Sequence, residues 1–261
     1  MQSDKFFLTE MSRSSLSFTE FASTHSSVIR DHLSFLIFSF NVTLDYGLYE
    51  QARVRLLGDD SLVKSSILSR AFYERGTVTV AKELLGKFVV RVVEQNRLVG
   101  RIVEVEAYRG SDDPASHAFH GITPRTTPMF GEPGHAYVYF TYGNHYCFNV
   151  TTERTGVAGA VLIRALEPVE GLDVMKRFRP HVSTFDITNG PGKLTKALCI
   201  DKALNKIDLT KCGPLFLRGS NSERVEIACS ARIGITTGTD RLWRFFVDGN
   251  PYVSKLSAKS T

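Results

Sequence analysis

Residues Arg101-Ile102-Val103-Glu104-Val105-Glu106-Ala107-Tyr108 alternate apolar and polar side chains from Val103 onward. A period of two is the signature of a strand, which puts Glu104, Glu106 and Tyr108 on one face and Val103, Val105 and Ala107 on the other. The apolar face predicts a core. Two carboxylates on the opposite face repel one another, so either one holds its proton more tightly or both need cationic or hydrogen-bonding partners. Both outcomes suit general acid or base work. The plainer alternative is a solvated face whose charge is balanced by Arg101 and Arg164.

Outward from that strand, runs rich in β-branched and aromatic residues predict strands over Lys87–Glu94, Leu98–Tyr108, Ala136–Tyr142 and His145–Thr151. Helices fit Thr79–Leu85, Pro168–Phe178 and Lys193–Leu198. Strands gather early and helices late without a βα alternation. The expected class is therefore α+β, a single compact domain on a curved antiparallel sheet with a protruding β-hairpin and helices packed around it.

The chain has 261 residues, 43% of them hydrophobic, which is enough for a real core. Positions 1–69 read differently, with 18 Ser or Thr and 6 basic against 8 acidic residues, and predict a weakly structured extension before a domain over residues 70–261. Asp4, Glu10, Glu20 and Asp31 argue against a transit peptide, and no basic start leads into an apolar signal core. The net charge is +5, but residues 70–261 alone carry 26 basic and 19 acidic residues, or +7. The basic character, which favours a polyanionic partner, therefore belongs to the domain. The longest apolar run, Leu33–Phe40, is too short to span a bilayer, so no membrane role is expected. Cys147, Cys199, Cys212 and Cys229 form no CxxC, against structural zinc or a disulfide scaffold.

Three further segments bear on chemistry. The loop Asp112-Asp113-Pro114-Ala115-Ser116-His117-Ala118-Phe119-His120 returns two histidines near the acidic strand. Without a third ligand no metal is expected, and His117 reads as a hydrogen-bonding or stacking group. Gly143-Asn144, between two aromatic runs, predicts a two-residue hairpin turn with Tyr142 at its tip, placed as a wedge or stacking platform. Tyr137, Tyr146 and Phe148 read as cross-strand packing. Arg164, central in the apolar run Ala160–Pro168, needs an acid, and a glutamate of the acidic strand is the natural one. Asn189-Gly190-Pro191-Gly192-Lys193 opens a helix with free backbone N–H groups but lacks the GxxxxGK[ST] spacing. It reads as a contact to a nucleic-acid backbone or as a plain helix start.

In this order the blocks resemble the alkyladenine (3-methyladenine) DNA glycosylase family of the mammalian type. The resemblance runs over Gly100–Tyr108, Ala115–His117, Thr123–Arg125, Met129–Phe130, Tyr137–Tyr139, Tyr142–Gly143, Asn149, Leu162–Pro168, Gly190–Lys193 and Phe245–Pro251, from about Arg70 to Val253. It implies hydrolysis of the N-glycosidic bond of a damaged purine flipped out of duplex DNA, without metal or organic cofactor. It implies Glu106 as general base for water, with Arg164 positioning both. Tyr108, His117 and Tyr139 would enclose the base, Asn149 would obstruct the amino group of normal guanine, and Tyr142 would fill the gap in the duplex. Gly190, Gly192 and Lys193 would meet the DNA backbone. A monomer is expected, working in the cytoplasm on the nucleoid if bacterial, or in the nucleus or a DNA-containing organelle if eukaryotic. Segments 131–135 and 151–159 depart from the family's form. The role of Glu104 stays open, between a supporting partner of Glu106 and a group that tunes it.

Two rival readings follow from the same residues. A carbohydrate glycosidase would use Glu104 and Glu106, roughly 7 Å apart as i and i+2 on a strand, but on one face they attack from the same side rather than flank a bond. A noncatalytic nucleic-acid-binding module accounts for charge and tyrosines but gives no reason for a recessed glutamate facing an arginine.

Overall fold

A central strand bordered on both edges along its length organises the fold. The computed structural model describes residues 66–141, 143–219 and 225–254. The extension expected over residues 1–69 lies, up to residue 65, outside the described residues. Contacts of the domain begin before Arg70: Ile67 bridges to Arg218, and the Leu68 N–H donates to the Leu217 carbonyl at 3.0 Å.

Among the described residues the elements are α1 (Arg70–Tyr73), α2 (Thr77–Leu84), β1 (Phe88–Val93), β2 (Asn96–Arg109), α3 (Thr127–Phe130), β3 (Ala136–Thr141), β4 (His145–Thr151), β5 (Gly159–Glu170), α4 (Leu172–Phe178), α5 (Pro191–Ala197), β6 (Leu215–Arg218), β7 (Ile227–Ser230) and β8 (Arg244–Val247). All strand pairs are antiparallel, in the order β3-β4-β5-β2-β1-β6, with β7 attached through β8 to β2. The fold is α+β, a curled antiparallel half-barrel sheet with few helices.

β2 is the element that positions the site. One edge pairs with β5 from Val99 to Arg109, while the other is divided between β1, up to Arg101, and β8, at Glu104–Glu106. The alternation read from the sequence breaks once. Register shifts between Ile102 and Glu104 and between Glu104 and Val105 mark β-bulges, so Ile102, not Val103, joins Val105 and Ala107 in the main core. A bulge adds an unpaired residue and re-aims its side chain. Here Arg164 is skipped in the pairing of β5 with β2.

The predicted helix over Pro168–Phe178 begins later, at Leu172, because β5 continues to Glu170 and Gly171 turns the chain at φ +77°. A Cβ on Gly171 would also meet Leu98 at 2.5 Å. α2 is capped from a distance: the Thr77 N–H and Oγ1 donate to Glu153 Oε1 at 2.7 and 2.8 Å. That contact gives the departing segment 151–159 a structural task. The β3–β4 connection is one residue longer than predicted. Thr141 pairs with His145, Gly143 has φ +71°, and the Asn144 N–H donates to the Thr141 carbonyl.

Candidate active site

Glu104 and Glu106 are fully buried, so the solvated-face reading fails, and Arg101 lies instead 3.8 Å from Glu167. Covering comes from β8 and from the segments around residues 233 and 254. Glu104 Oε1 accepts from Arg164 Nε at 2.9 Å, from Arg244 Nε at 2.7 Å and from Ser254 Oγ at 2.7 Å, while Oε2 accepts from the Ser254 N–H at 2.7 Å. Burial alone would raise this carboxyl, but Arg164, Arg244 and the Ser254 donors outweigh it and hold it below the ordinary carboxylate range. Four donors, two of them guanidiniums, thus close on Glu104, three at Oε1 and one at Oε2. Glu104 is an anchor, clamped between Arg164 and Arg244.

Glu106 is arranged differently. Its Oε2 accepts from the Tyr108 hydroxyl at 2.8 Å and lies 3.3 Å from Arg164 Nη1, while Oε1 accepts from the Ile233 N–H at 2.7 Å. Among the described residues one acceptor site, on Oε1, is therefore open. Arg164 is almost fully buried and bridges both glutamates; burial works against its charge, but Glu106 and Glu104 hold it protonated. The bulge that leaves it unpaired with β2 lets one guanidinium reach both.

The aromatic side of the site is continuous with Glu106. Glu106 pairs with Leu162, Leu162 with Asn149 and Asn149 with Tyr137, so one row across the sheet leads from Glu106 to the aromatic strand that carries Tyr139. Burial raises the pKa of Tyr108 and Tyr139, which both stay neutral phenols. His117 packs edge-on to Tyr139 with ring centres 4.7 Å apart, and its Nδ1 lies 3.1 Å from the Tyr137 hydroxyl. Burial, and then the cation of Arg125, push His117 down to about 4, so its imidazole is neutral near pH 7. Asn149 is buried on β4 and donates Nδ2 to the Tyr137 carbonyl at 3.0 Å. Glu106, Arg164, Tyr108, Tyr139 and His117 are thus brought into one neighbourhood, with Asn149 tied to it through Tyr137.

The glycine loop stands apart from this cluster. Lys193 Nζ turns back on its own loop, 2.7 Å from Asn189 Oδ1 and 3.2 Å from Asp186. A Cβ on Gly192 would lie 2.8 Å from His145 Cγ, so α5 needs that glycine to pack on the hairpin, where Thr195 Oγ1 also donates to the Tyr146 carbonyl. Gly190 sits at the helix start with an extended backbone. Tyr142 lies outside the described residues.

Several partners were not singled out from the sequence. Arg244, Ser254, Ile233 and the buried pair Asp113–Arg232 all support the glutamates or Tyr108. Arg125 lies over the Tyr139 ring at 4.9 Å. For Arg244 a signal existed: a cation between Trp243 and Phe245 needs a buried partner, by the argument that marks Arg164.

The sequence profile of the methylpurine-DNA glycosylase family matches residues 71–251. A protein of Carboxydothermus hydrogenoformans is 50% identical over 190 residues, covering 72% of this chain and 99% of its own. One from Clostridium tetani is 46% identical over 200 residues (72% and 98%), and one from Methanocella arvoryzae is 46% identical over 193 (72% and 96%). All three bear the provisional name 3-methyladenine DNA glycosylase.

Proposed function

This chain belongs to the methylpurine-DNA glycosylase family, and we propose that it flips alkylated or deaminated purines out of duplex DNA and hydrolyses their N-glycosidic bond with water activated by Glu106. The lesions meant are those of the 3-methyladenine, 7-methylguanine, hypoxanthine and ethenoadenine class. The observation that carries the reading is the contrast between the glutamates: Glu104 is clamped between two guanidiniums and both donors of Ser254, whereas Glu106 meets one guanidinium, at 3.3 Å, shares its donors with the aromatic side through Tyr108 and keeps an acceptor site on Oε1.

A water donating to that oxygen would give up its proton to Glu106 as its own oxygen bonds to the anomeric carbon and the bond to the purine breaks. The carboxylate also faces the positive charge that develops on the sugar ring. Arg164, fixed from behind by Glu104, holds Glu106 and the water in line. Tyr108, His117 and Tyr139 would stack around the flipped base. A ring-alkylated purine is cationic, gains attraction from the phenol faces and leaves as a neutral base, whereas a neutral lesion such as hypoxanthine leaves as its anion, which takes a proton from solvent. Asn149 would exclude the amino group of normal guanine. Tyr142 would occupy the vacated stack, offsetting part of the few kcal/mol that flipping costs, and Gly190, Gly192 and Lys193 would meet the backbone.

The carbohydrate-glycosidase reading needs two working carboxylates, and Glu104 is clamped as an ion between Arg164 and Arg244. The test is product analysis over a panel of duplexes carrying single lesions. Free hypoxanthine or alkylated adenine together with an abasic site is expected, and intact duplex with every lesion would overturn the proposal.

A further inference from the structure

A second buried ion pair lies beside the glutamates without touching either. Asp113 Oδ2 and Oδ1 accept from Arg232 Nη1 and Nη2 at 2.6 and 2.7 Å, a two-pronged pair with both side chains fully buried. Resting on the reading of Glu106 as the water-activating carboxylate, we propose that Asp113 and Arg232 are positioning residues that set the geometry of Glu106 and tie it to the wall of the base site.

The argument starts from what Arg232 holds. Its guanidinium lies over the Tyr108 ring at 4.6 Å, with Trp243 at 5.4 Å, and its Nη1 also donates to the Ala107 carbonyl at 2.9 Å. Tyr108 gives its hydroxyl hydrogen to Glu106 Oε2, and Ile233, the residue after Arg232, gives its N–H to Oε1. Apart from Arg164, both donors that orient Glu106 are therefore placed by this one side chain. Arg232 Nε finds no acceptor among the described residues. Its position is set by the fork and the stack, which only a planar guanidinium supplies together.

Asp113 extends the linkage to the base site. Its carboxylate accepts from the N–H groups of Arg109 and Ala115 at 3.1 and 3.3 Å, and its carbonyl accepts from the Ser116 N–H at 2.9 Å. Those bonds shape the turn that delivers His117 to Tyr139. The pair thus joins the turn carrying His117 to the segment carrying Ile233. A buried ion pair is generally no more stabilising than apolar side chains of the same volume, so stability alone gives little reason for one here. Misplacing a reacting group by about 1 Å costs on the order of a hundredfold in rate, and that is the penalty the pair prevents.

The test uses the full chain and a duplex with one hypoxanthine. Base release is measured under single-turnover conditions, lesion binding in the Glu106→Gln background, and folding by thermal melting. Arg232→Lys keeps the charge but loses the stack and the fork. It is expected to slow release about ten- to a hundredfold while binding changes less than about threefold. In a Tyr108→Phe background the same change is expected to lose at least half of its logarithmic effect, because both act on Glu106. If Arg232→Lys does not fold, the apolar pair Asp113→Leu with Arg232→Met preserves volume and is expected to fold with the same rate deficit. Full release by a folded variant, strict additivity with Tyr108→Phe, or a binding loss as large as the rate loss would overturn the inference. Wild-type protein that releases no base overturns the proposed reaction and this inference with it, whereas normal release by both wild type and variant overturns the inference alone.

Discussion

Replacing Glu104 by glutamine tests whether it is an anchor or a second working acid. Its Oε1 receives Arg164, Arg244 and the Ser254 hydroxyl, and its Oε2 receives the Ser254 N–H. Glutamine can leave an oxygen at the first position, but its amide nitrogen then faces the Ser254 N–H, donor against donor. It also removes the negative charge between two buried guanidiniums. Losing one partner of a buried pair costs about 3–5 kcal/mol, and at about 2–4 °C per kcal/mol for a domain of this size the melting temperature should fall by roughly 6–20 °C. The sign with pH follows from the depressed carboxyl. Its contribution is complete above the unfolded pKa, about 4.3, and is lost as pH falls through the lower native value. Urea unfolding from pH 7 to pH 3 should therefore show the deficit of Glu104→Gln shrinking in acid. Base release should slow because Arg164 loses its backing, but the pH–rate profile should keep its shape. Wild-type stability, or a lost limb of that profile in a stable protein, would refute the anchor role.

Tyr108→Phe removes one donor to Glu106 and keeps the ring; a bond to a charged group is worth about 1.5–3 kcal/mol, so single-turnover release should fall about ten- to a hundredfold with lesion binding little changed. His117, held near 4 by burial and by Arg125, should show a neutral imidazole by nitrogen-detected NMR from pH 8 to pH 5.5. Because its native pKa lies below the unfolded value of about 6.5, His117 destabilises the fold as pH drops from there toward 4, and a titration near 6.5 would contradict the packing described. Tyr142→Ala should weaken binding to lesion duplex more than to the same lesion in single-stranded DNA, and equal losses would remove its wedge role.

The central strand was legible because its alternation is local: Glu104, Glu106 and Tyr108 do share a supporting network, and Arg164 does face the acids. The bulge at Val103 was not, since nothing in an apolar run tells which residue will be left unpaired. The hairpin was legible from Gly143-Asn144, but its register was off by one because a three-residue connection uses the same turn residues. Helix α4 was misplaced at its start because Pro168 reads as a helix-opening residue, whereas β5 runs on through it to Glu170 and only Gly171 marks the change. The partners Arg232, Ile233, Arg244 and Ser254 come from more than 100 residues away, on short β8 and irregular segments that carry no period. They follow from which strand closes the second half of β2, and that is a tertiary choice.

The most direct test of Glu106 is single-turnover release of hypoxanthine from one duplex by wild type and by Glu106→Gln, with duplex binding measured alongside. The variant should bind the lesion duplex as wild type does and release base about 10²–10⁴-fold more slowly, the range for loss of a general base. Release within tenfold of wild type at equal binding would contradict Glu106 as the group that activates water.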